Sequence, residues 1–523
     1  MTAPHRVRIF KNTPWFFAPS FIFLSVFVLW PTIVVLSKSI NQSSLSRVVT
    51  DPQLRQMLWF TTWQAFLSTV GTLAIGIPAA LVLSRYSFRA RQLIRALTFV
   101  PFVLPTVVVG IAFSLLSPAS YQSGPIPLIV AHIYLNIAVV VRVVGNRWEK
   151  LPTAFNDNAA VLGATPFTNF RTVTFPLLRS SIIGAGSIVF IFCFSTYGAA
   201  RVLAGPRFPT IETEIYRYAF FLGNMPQASA LVVWQLCAIM LVLALTYGQK
   251  DIYLAQRNLM PLASERKLKR IVFSGAAALI AVGTLLPIAI LFIHSLRSSQ
   301  GFTFSHWATS DMWTSFLTSL GIALFATVMA LFFGTGSALA IAYSTQVKYQ
   351  KFVQALTSLP IVISAVALGL GYLLAFRSGP MNWRGSLWLL AVVHCAVALP
   401  FVVRIIAPAA REIQPELREN ALLLGASPWE VWKSIDLPFL LRPLAIAASF
   451  AFSISLGEFG ASSLLTRHGH ETLAMRIGQL LSRPGEQLQK QAIASACLLA
   501  FSCIAIALIV EYVVQFNRRK GTQ

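Results

Sequence analysis

Acidic residues are scarce in this chain. Only 17 of its 523 residues are Asp or Glu, and charged side chains of both signs make up 11%. Soluble proteins carry roughly 25%, so a water-soluble fold of this length would lack the polar surface it needs. Cysteine is sparse too. Cys193, Cys237, Cys395, Cys497 and Cys503 all fall inside apolar stretches and show no metal-ligand spacing. That pattern excludes a disulfide framework and leaves them as small packing residues. The sequence contains no Walker phosphate loop, dinucleotide fingerprint or zinc-binding helix. No metal and no cofactor is therefore expected in this chain, and any use of ATP–Mg falls to another polypeptide. Low-complexity tracts and a soluble domain of any size are also missing.

What is there is apolar: 56% of the residues. Runs of about 20 residues, long enough to span a bilayer, recur along the chain. Twelve spans are expected, at 14–37, 57–84, 97–116, 126–144, 177–198, 228–247, 271–296, 317–343, 355–375, 387–405, 440–457 and 491–514. Lipid offers no partner to backbone polar groups, and these runs are too long and too uniformly apolar for barrel strands, so the spans are helices. The first is read as a retained helix, since no small-residue cleavage site follows it. The net charge of +24 does not point to nucleic acid, because of where it lies. With the N-terminus inside, 28 Lys and Arg fall in or beside the inner segments and 13 in the outer ones. This asymmetry predicts cytoplasmic termini for a multi-pass membrane protein.

One segment occurs twice. Residues 157–176 read DNAAVLGATPFTNFRTVTFP, and residues 419–438 read ENALLLGASPWEVWKSIDLP. The spacing from Gly163 to Pro176 equals that from Gly425 to Pro438, and the copies are 262 residues apart. At the same offset His132 matches His394, Arg142 matches Arg404, Gly198 matches Gly460 and Thr210 matches Thr472. A duplicated and fused unit is the reading. It predicts a first half at 1–250, a polar linker at 251–270 and a second half at 271–523. Loops 145–176 and 407–438 then lie on the same side. Each loop reads as a short helix, a tight turn and a second short helix. Ser427 caps the second helix, with Pro428 first and Glu430 three residues after the cap; Thr165 and Pro166 repeat the arrangement. Pro176 and Pro438 are expected to end these helices and start the next span. Two such elements make a pair of docking knobs.

The repeated loop resembles the EAA motif of ATP-binding-cassette importer permeases: Glu-Ala-Ala, then a Gly after three more residues, then Ile-x-Leu-Pro. The second copy has Glu419, Asn420, Ala421, Gly425 and Ile435-Asp436-Leu437-Pro438. The first has Asp157, Asn158, Ala159, Gly163 and Val173-Thr174-Phe175-Pro176. The family's Glu is Asp in the first copy, and its first Ala is Asn in both. The resemblance implies an all-α membrane protein of two parallel six-helix repeats. It also implies that the motif residues couple to two copies of a cytoplasmic ATPase subunit, with a solute-binding protein on the outer face. The chain itself would be a transport subunit, not an enzyme. Within the family it is similar to fused permeases for thiamine and for ferric iron. The supporting stretches are FCFSTYGAARVLAGPRFPTIETEIYRYA at 192–219 and SISLGEFGASSLL at 453–465. Thiamine is the favoured cargo, with ferric iron and, more distantly, an ion-coupled secondary transporter as alternatives.

Glu458 is the sharpest candidate in the solute path. It is an acid at the end of an apolar span, where ionisable groups are costly and face a cavity or a partner. Thr196 holds the matching place in the first half, followed by Tyr197; Phe459 follows Glu458. A carboxylate among aromatic rings suits a cation. The competing reading has Glu458 capping a helix or pairing internally. His132 and His394 are read as interhelical hydrogen-bonding groups, and Arg142 and Arg404 as side chains reaching the cytoplasmic interface. Glu212 and Glu214 are read as solvated groups of an external segment.

Overall fold

The computed structural model describes residues 14–39, 42–246, 260–261, 267–298, 301–377, 383, 386–466 and 469–520. Most of the expected linker at 251–270 lies outside these residues. Among the described residues the regular structure is helical apart from two pairings of two-residue strands, Tyr86–Ser87 with Met260–Pro261 and Arg297–Ser298 with Gly301–Phe302. Among the described residues, ten helices are long and apolar enough to cross a membrane.

The duplication is visible in the helix order. Pro52–Arg85, Pro125–Glu149, Phe175–Phe194 and Met225–Thr246 return as Ser310–Tyr343, Leu387–Glu412, Leu437–Gly457 and Glu486–Lys520. A close crossing returns with them, on Val140 and on its match Val402. A Cβ on Gly76 would lie 2.7 Å from Val140, and one on Gly334 would lie 2.5 Å from Val402. Both positions therefore need glycine for close helix approach.

Two expected spans are not continuous. The run at 97–116 is the pair Arg91–Val103 and Thr106–Leu116, bent by 102°; the run at 355–375 is the pair Val347–Val362 and Ala365–Ala375, bent by 92°. Proline explains the first break. Leu104 precedes Pro105, which disfavours helical backbone there, and Leu104 takes φ −70° and ψ 139°. At the second break Ser364 leaves the helix and caps the next one, accepting the Ala367 N–H at 3.1 Å.

The ends of the motif loops also differ from expectation. Pro176 and Pro438 do not stop a helix. The second motif helix runs on through a π-helical turn, Phe170–Thr174 or Trp432–Asp436, directly into the span. The single continuous elements are Pro166–Phe194 and Trp429–Gly457. A π turn shifts the hydrogen-bond register by one residue, and here it lets the chain enter the span at a proline without a break.

The first helix of each half crosses to the other half. Ser20 Oγ donates to the Phe333 carbonyl at 2.7 Å, and Phe23 stacks on Phe333 at 4.5 Å. Gly371 leaves room for Pro31, since a Cβ there would lie 2.9 Å from the Pro31 ring. In the reverse direction, Tyr134 Oη donates to the Thr284 carbonyl at 2.9 Å and Tyr86 packs on Phe273 at 4.8 Å.

Candidate functional site

Two regions carry the residues singled out by the sequence. The first is the pair of motif loops, at one end of the bundle. Helix Thr153–Val161 holds Asp157, Asn158 and Ala159, and helix Pro415–Leu423 holds Glu419, Asn420 and Ala421. Each helix ends in the same cap. The Gly163 N–H reaches the Ala160 carbonyl and the Ala164 N–H the Ala159 carbonyl; Gly425 and Ala426 repeat this on Leu422 and Ala421. This is a Schellman cap, which places the residue after the helix in left-handed backbone. Gly163 takes φ +80° and Gly425 φ +87°. The glycines are thus required by the backbone conformation of the turn. The capping box at Ser427 is complete: Glu430 Oε2 accepts the Ser427 N–H at 2.7 Å, and Ser427 Oγ accepts the Glu430 N–H at 3.3 Å. Thr165 Oγ1 accepts the Thr168 N–H at 3.2 Å in the first copy.

Both turns push large apolar side chains into open space at matched positions. Leu162 is 86% and Leu424 88% exposed, and Phe167 and Trp429 stand beside them at 73% and 69%. Exposed apolar clusters of this kind mark interaction surfaces. The loops differ underneath. Arg418 Nε donates to Asp436 Oδ1 at 2.7 Å in a buried pair, with the guanidinium 4.5 Å above the Tyr343 ring. The matching residues of the first half are Asn156 and Thr174, which cannot form such a pair.

The second region is a cavity of about 280 Å³ toward the opposite end, lined by both halves. It brings together all four path candidates: Thr196 and Tyr197 from the first half, Glu458 and Phe459 from the second. The Tyr197 and Phe459 rings, at matched positions, meet at 5.1 Å. Glu458 is 7% exposed and caps the short helix Gly460–Leu465. Its Oε1 accepts the Ala461 N–H at 3.0 Å, and its Oε2 accepts the Ser462 N–H at 3.1 Å. His394 lies 3.5 Å from Oε2.

Glu212 is in this cavity as well, fully buried, where the sequence reading had it in solvent. It belongs to a short helix, Ile211–Tyr216, capped by Thr210. Gln235 Nε2 donates to its Oε1. The Ser364 hydroxyl of the second half lies beside the carboxylate without completing a hydrogen bond to Oε2. Glu214 is also buried rather than solvated, and pairs with Arg217 at 2.7 Å. The histidines differ between the halves. His394 has both ring nitrogens engaged, by Ser455 at 2.8 Å and Ser462 at 3.0 Å. His132 meets Ser68 at 3.3 Å through Nδ1, while its Nε2 has no partner among the described residues. Arg142 does not simply extend toward the interface: its guanidinium sits 3.8 Å above the Phe99 ring and 5.8 Å from Phe450 of the other half.

Comparison with known proteins places these sites in context. The family model described as "binding-protein-dependent transport system inner membrane component" matches twice, at residues 72–257 and 330–520. A thiamine transport system permease protein of Brucella suis is 26% identical over 487 residues, covering 88% of each chain. The protein of the same description from Haemophilus influenzae is 26% identical over 491 residues, covering 88% of this chain and 89% of its own. A putative 2-aminoethylphosphonate transport system permease protein of Salmonella typhimurium is 31% identical over 244 residues, 45% of this chain and 89% of its own.

Proposed function

The chain belongs to the family of binding-protein-dependent transport system inner membrane components, and from that premise we propose that it carries a small organic cation, thiamine in the first instance. It is the multi-pass permease of an ATP-binding-cassette importer, with ATP hydrolysed on a separate subunit and solute delivered by a binding protein. The proposal concerns the cargo, the coupling residues and the orientation. The observation that carries the cargo is the inter-half cavity, where the Glu458 and Glu212 carboxylates share a wall with the Tyr197 and Phe459 rings. Negative charge and aromatic faces together favour a cation. The relatives described as thiamine permeases, aligned over most of the chain, support the same choice.

In this reading the halves, 1–250 and 271–523, are joined by a cytoplasmic linker at 251–270. Each motif loop docks on one of two ATPase copies. Leu162 with Phe167, and Leu424 with Trp429, enter grooves on those subunits. Asp157, Asn158, Ala159, Gly163 and Pro176, with Glu419, Asn420, Ala421, Gly425 and Pro438, shape the two docking elements. ATP-driven closure of the ATPases moves the loops, and the rigid continuation of each motif helix into Phe175–Phe194 or Leu437–Gly457 transmits the movement. Those spans end at Ser195 and Glu458, on the cavity wall. The push therefore arrives where Thr196, Tyr197, Glu458 and Phe459 stand.

The test is reconstitution of the chain with its ATPase and binding protein in proteoliposomes. Thiamine uptake that requires ATP and the binding protein is the expected result. Uptake that survives removal of ATP, or a system that moves 2-aminoethylphosphonate and leaves thiamine outside, refutes the assignment. Orientation is checked in sealed cells, where a cysteine placed at Ser434 should resist a membrane-impermeant thiol reagent; ready labelling would reverse the topology.

A further inference from the structure

Four buried polar atoms with no hydrogen-bond partner line the same small cavity: His132 Nε2, Thr196 Oγ1, Glu212 Oε2 and Ser453 Oγ. Buried polar groups are ordinarily satisfied, and each exception calls for an explanation. Here the exceptions converge. They come from both halves, and they surround the one place where the aromatic pair of Tyr197 and Phe459 also faces. The two carboxylates are not equivalent. Both oxygens of Glu458 are held by the N–H groups of Ala461 and Ser462. Glu212 keeps one oxygen held by Gln235 and one unpartnered. Ionising two carboxylates that line one cavity is costly, and a cation between them offsets that cost.

We propose that Glu212, with the unpartnered groups of His132, Thr196 and Ser453, is the specificity-determining site for a flat, amino-bearing organic cation held in transit. This assignment rests on the reading of the cavity as the transit site. The free Glu212 oxygen accepts from a ligand N–H. Thr196 and Ser453 supply hydroxyls that donate or accept, and His132 Nε2 does either according to its tautomer. Tyr197 and Phe459 face the ring or the positive centre. A volume of about 280 Å³ lies just below the roughly 300–1,000 Å³ typical of ligand sites and suits a small solute. The site sets polar groups beside aromatic rings, so it reads orientation as well as charge. The repeat does not reproduce it: Ala474 stands at the position matching Glu212, and both nitrogens of His394 are engaged.

The full chain in lipid nanodiscs is titrated with thiamine, choline, 2-aminoethylphosphonate and sulfate, and the melting temperature is followed. Thiamine should stabilise the chain most, choline less, and the other two not at all. Glu212→Gln retains an oxygen for Gln235 and removes the repulsion from Glu458, so without ligand it should melt at or above the parent, and it should bind thiamine at least tenfold more weakly. Thr196→Val gives a second readout of opposite sign. It removes an unpartnered buried hydroxyl, so it should raise the melting temperature of the empty chain while weakening thiamine binding. A purely structural role for Thr196 would not separate the two effects. Equal thiamine affinity in parent and Glu212→Gln overturns the assignment, as does stabilisation by sulfate alone or by none of the four probes. The transport reading is judged separately: thiamine uptake by the parent chain in proteoliposomes, with uptake and affinity unchanged in Glu212→Gln, would leave it standing while the site assignment fell. Absence of parent uptake with intact, Glu212-dependent binding would do the reverse.

Discussion

Replacing Gly425 separates two reasons for a glycine in the motif turn. A Cβ at this position meets no heavy atom within 4 Å, yet the backbone has φ +87°. The cost of Gly425→Ala in the isolated chain is therefore conformational, roughly 1–2 kcal/mol for an L residue in left-handed backbone. That corresponds to a factor of about 5–30 in the equilibrium between closed and open turn. Asn tolerates the left-handed region better and should cost less. The reporters are the amides that close the turn, Gly425 to Leu422 and Ala426 to Ala421. In nanodiscs, hydrogen exchange at these two amides should accelerate by the stated factor in Gly425→Ala and much less in Gly425→Asn, with the global melting temperature unchanged. Gly425→Arg adds a long side chain pointing into space that is open in the isolated chain. Its additional loss of coupled ATPase activity over Gly425→Ala measures how closely the ATPase approaches. Gly163, at φ +80° with equally open surroundings, should behave the same way. Identical exchange in the Ala, Asn and parent chains would refute the conformational argument. Equal coupling in Arg and Ala variants would refute docking at this surface.

Other outcomes follow from the same geometry. Arg418→Met leaves Asp436 buried without its partner and should destabilise the chain by about 3–5 kcal/mol, whereas adding Asp436→Leu should recover most of it; thermal melting of both decides. Leu424→Ser and Leu162→Ser should each weaken ATPase binding by about 1.5–3 kcal/mol, the worth of burying one such side chain, without altering insertion; a binding isotherm with unchanged affinity would contradict this. Ser20→Ala removes the hydrogen bond to the Phe333 carbonyl and should cost about 0.5–1.5 kcal/mol; the same loss should follow in a chain expressed as two separate halves, and no loss in either would deny the crossing contact.

The repeat, the motif loops and their caps were legible because they rest on local chemistry. A Gly after a helical stretch, a Ser or Thr before a Pro and a Glu three residues on all have one conformational meaning, and the structure places Gly163, Gly425, Thr165 and Ser427 accordingly. Hydropathy counts apolar length but carries no direction, so the 97–116 and 355–375 runs passed as straight spans although each is sharply bent. Pro105 is the available signal in the first, and Pro360 with Ser364 in the second. Glu212 was placed in solvent because it lies between two apolar runs. That the segment folds back into the bundle is a tertiary fact. Its nearest sequence trace was the Thr210–Thr472 match, which returns as a pair of helix caps at Ile211–Tyr216 and Leu473–Leu481. Pro176 and Pro438 were read as stops because helix-breaking is the usual meaning of proline, and a π turn leaves no mark in composition.

The exchange of first helices imposes an order on synthesis. Residues 14–39 find part of their packing surface on Ser310–Tyr343 and Ala365–Ala375, where the partners Phe333 and Gly371 leave the ribosome roughly 310–340 residues later. At about 5–20 residues per second the first helix waits on the order of 15–70 s in the bilayer with one flank against lipid. A chain stalled before residue 310 should accordingly hold that helix loosely, open to crosslinking with lipid or translocon, and lose the crosslink once Phe333 has emerged. Fusion of the halves then shortens the search: the surface that completes the helix arrives on the same polypeptide, at a local concentration no separate subunit reaches by diffusion in the membrane.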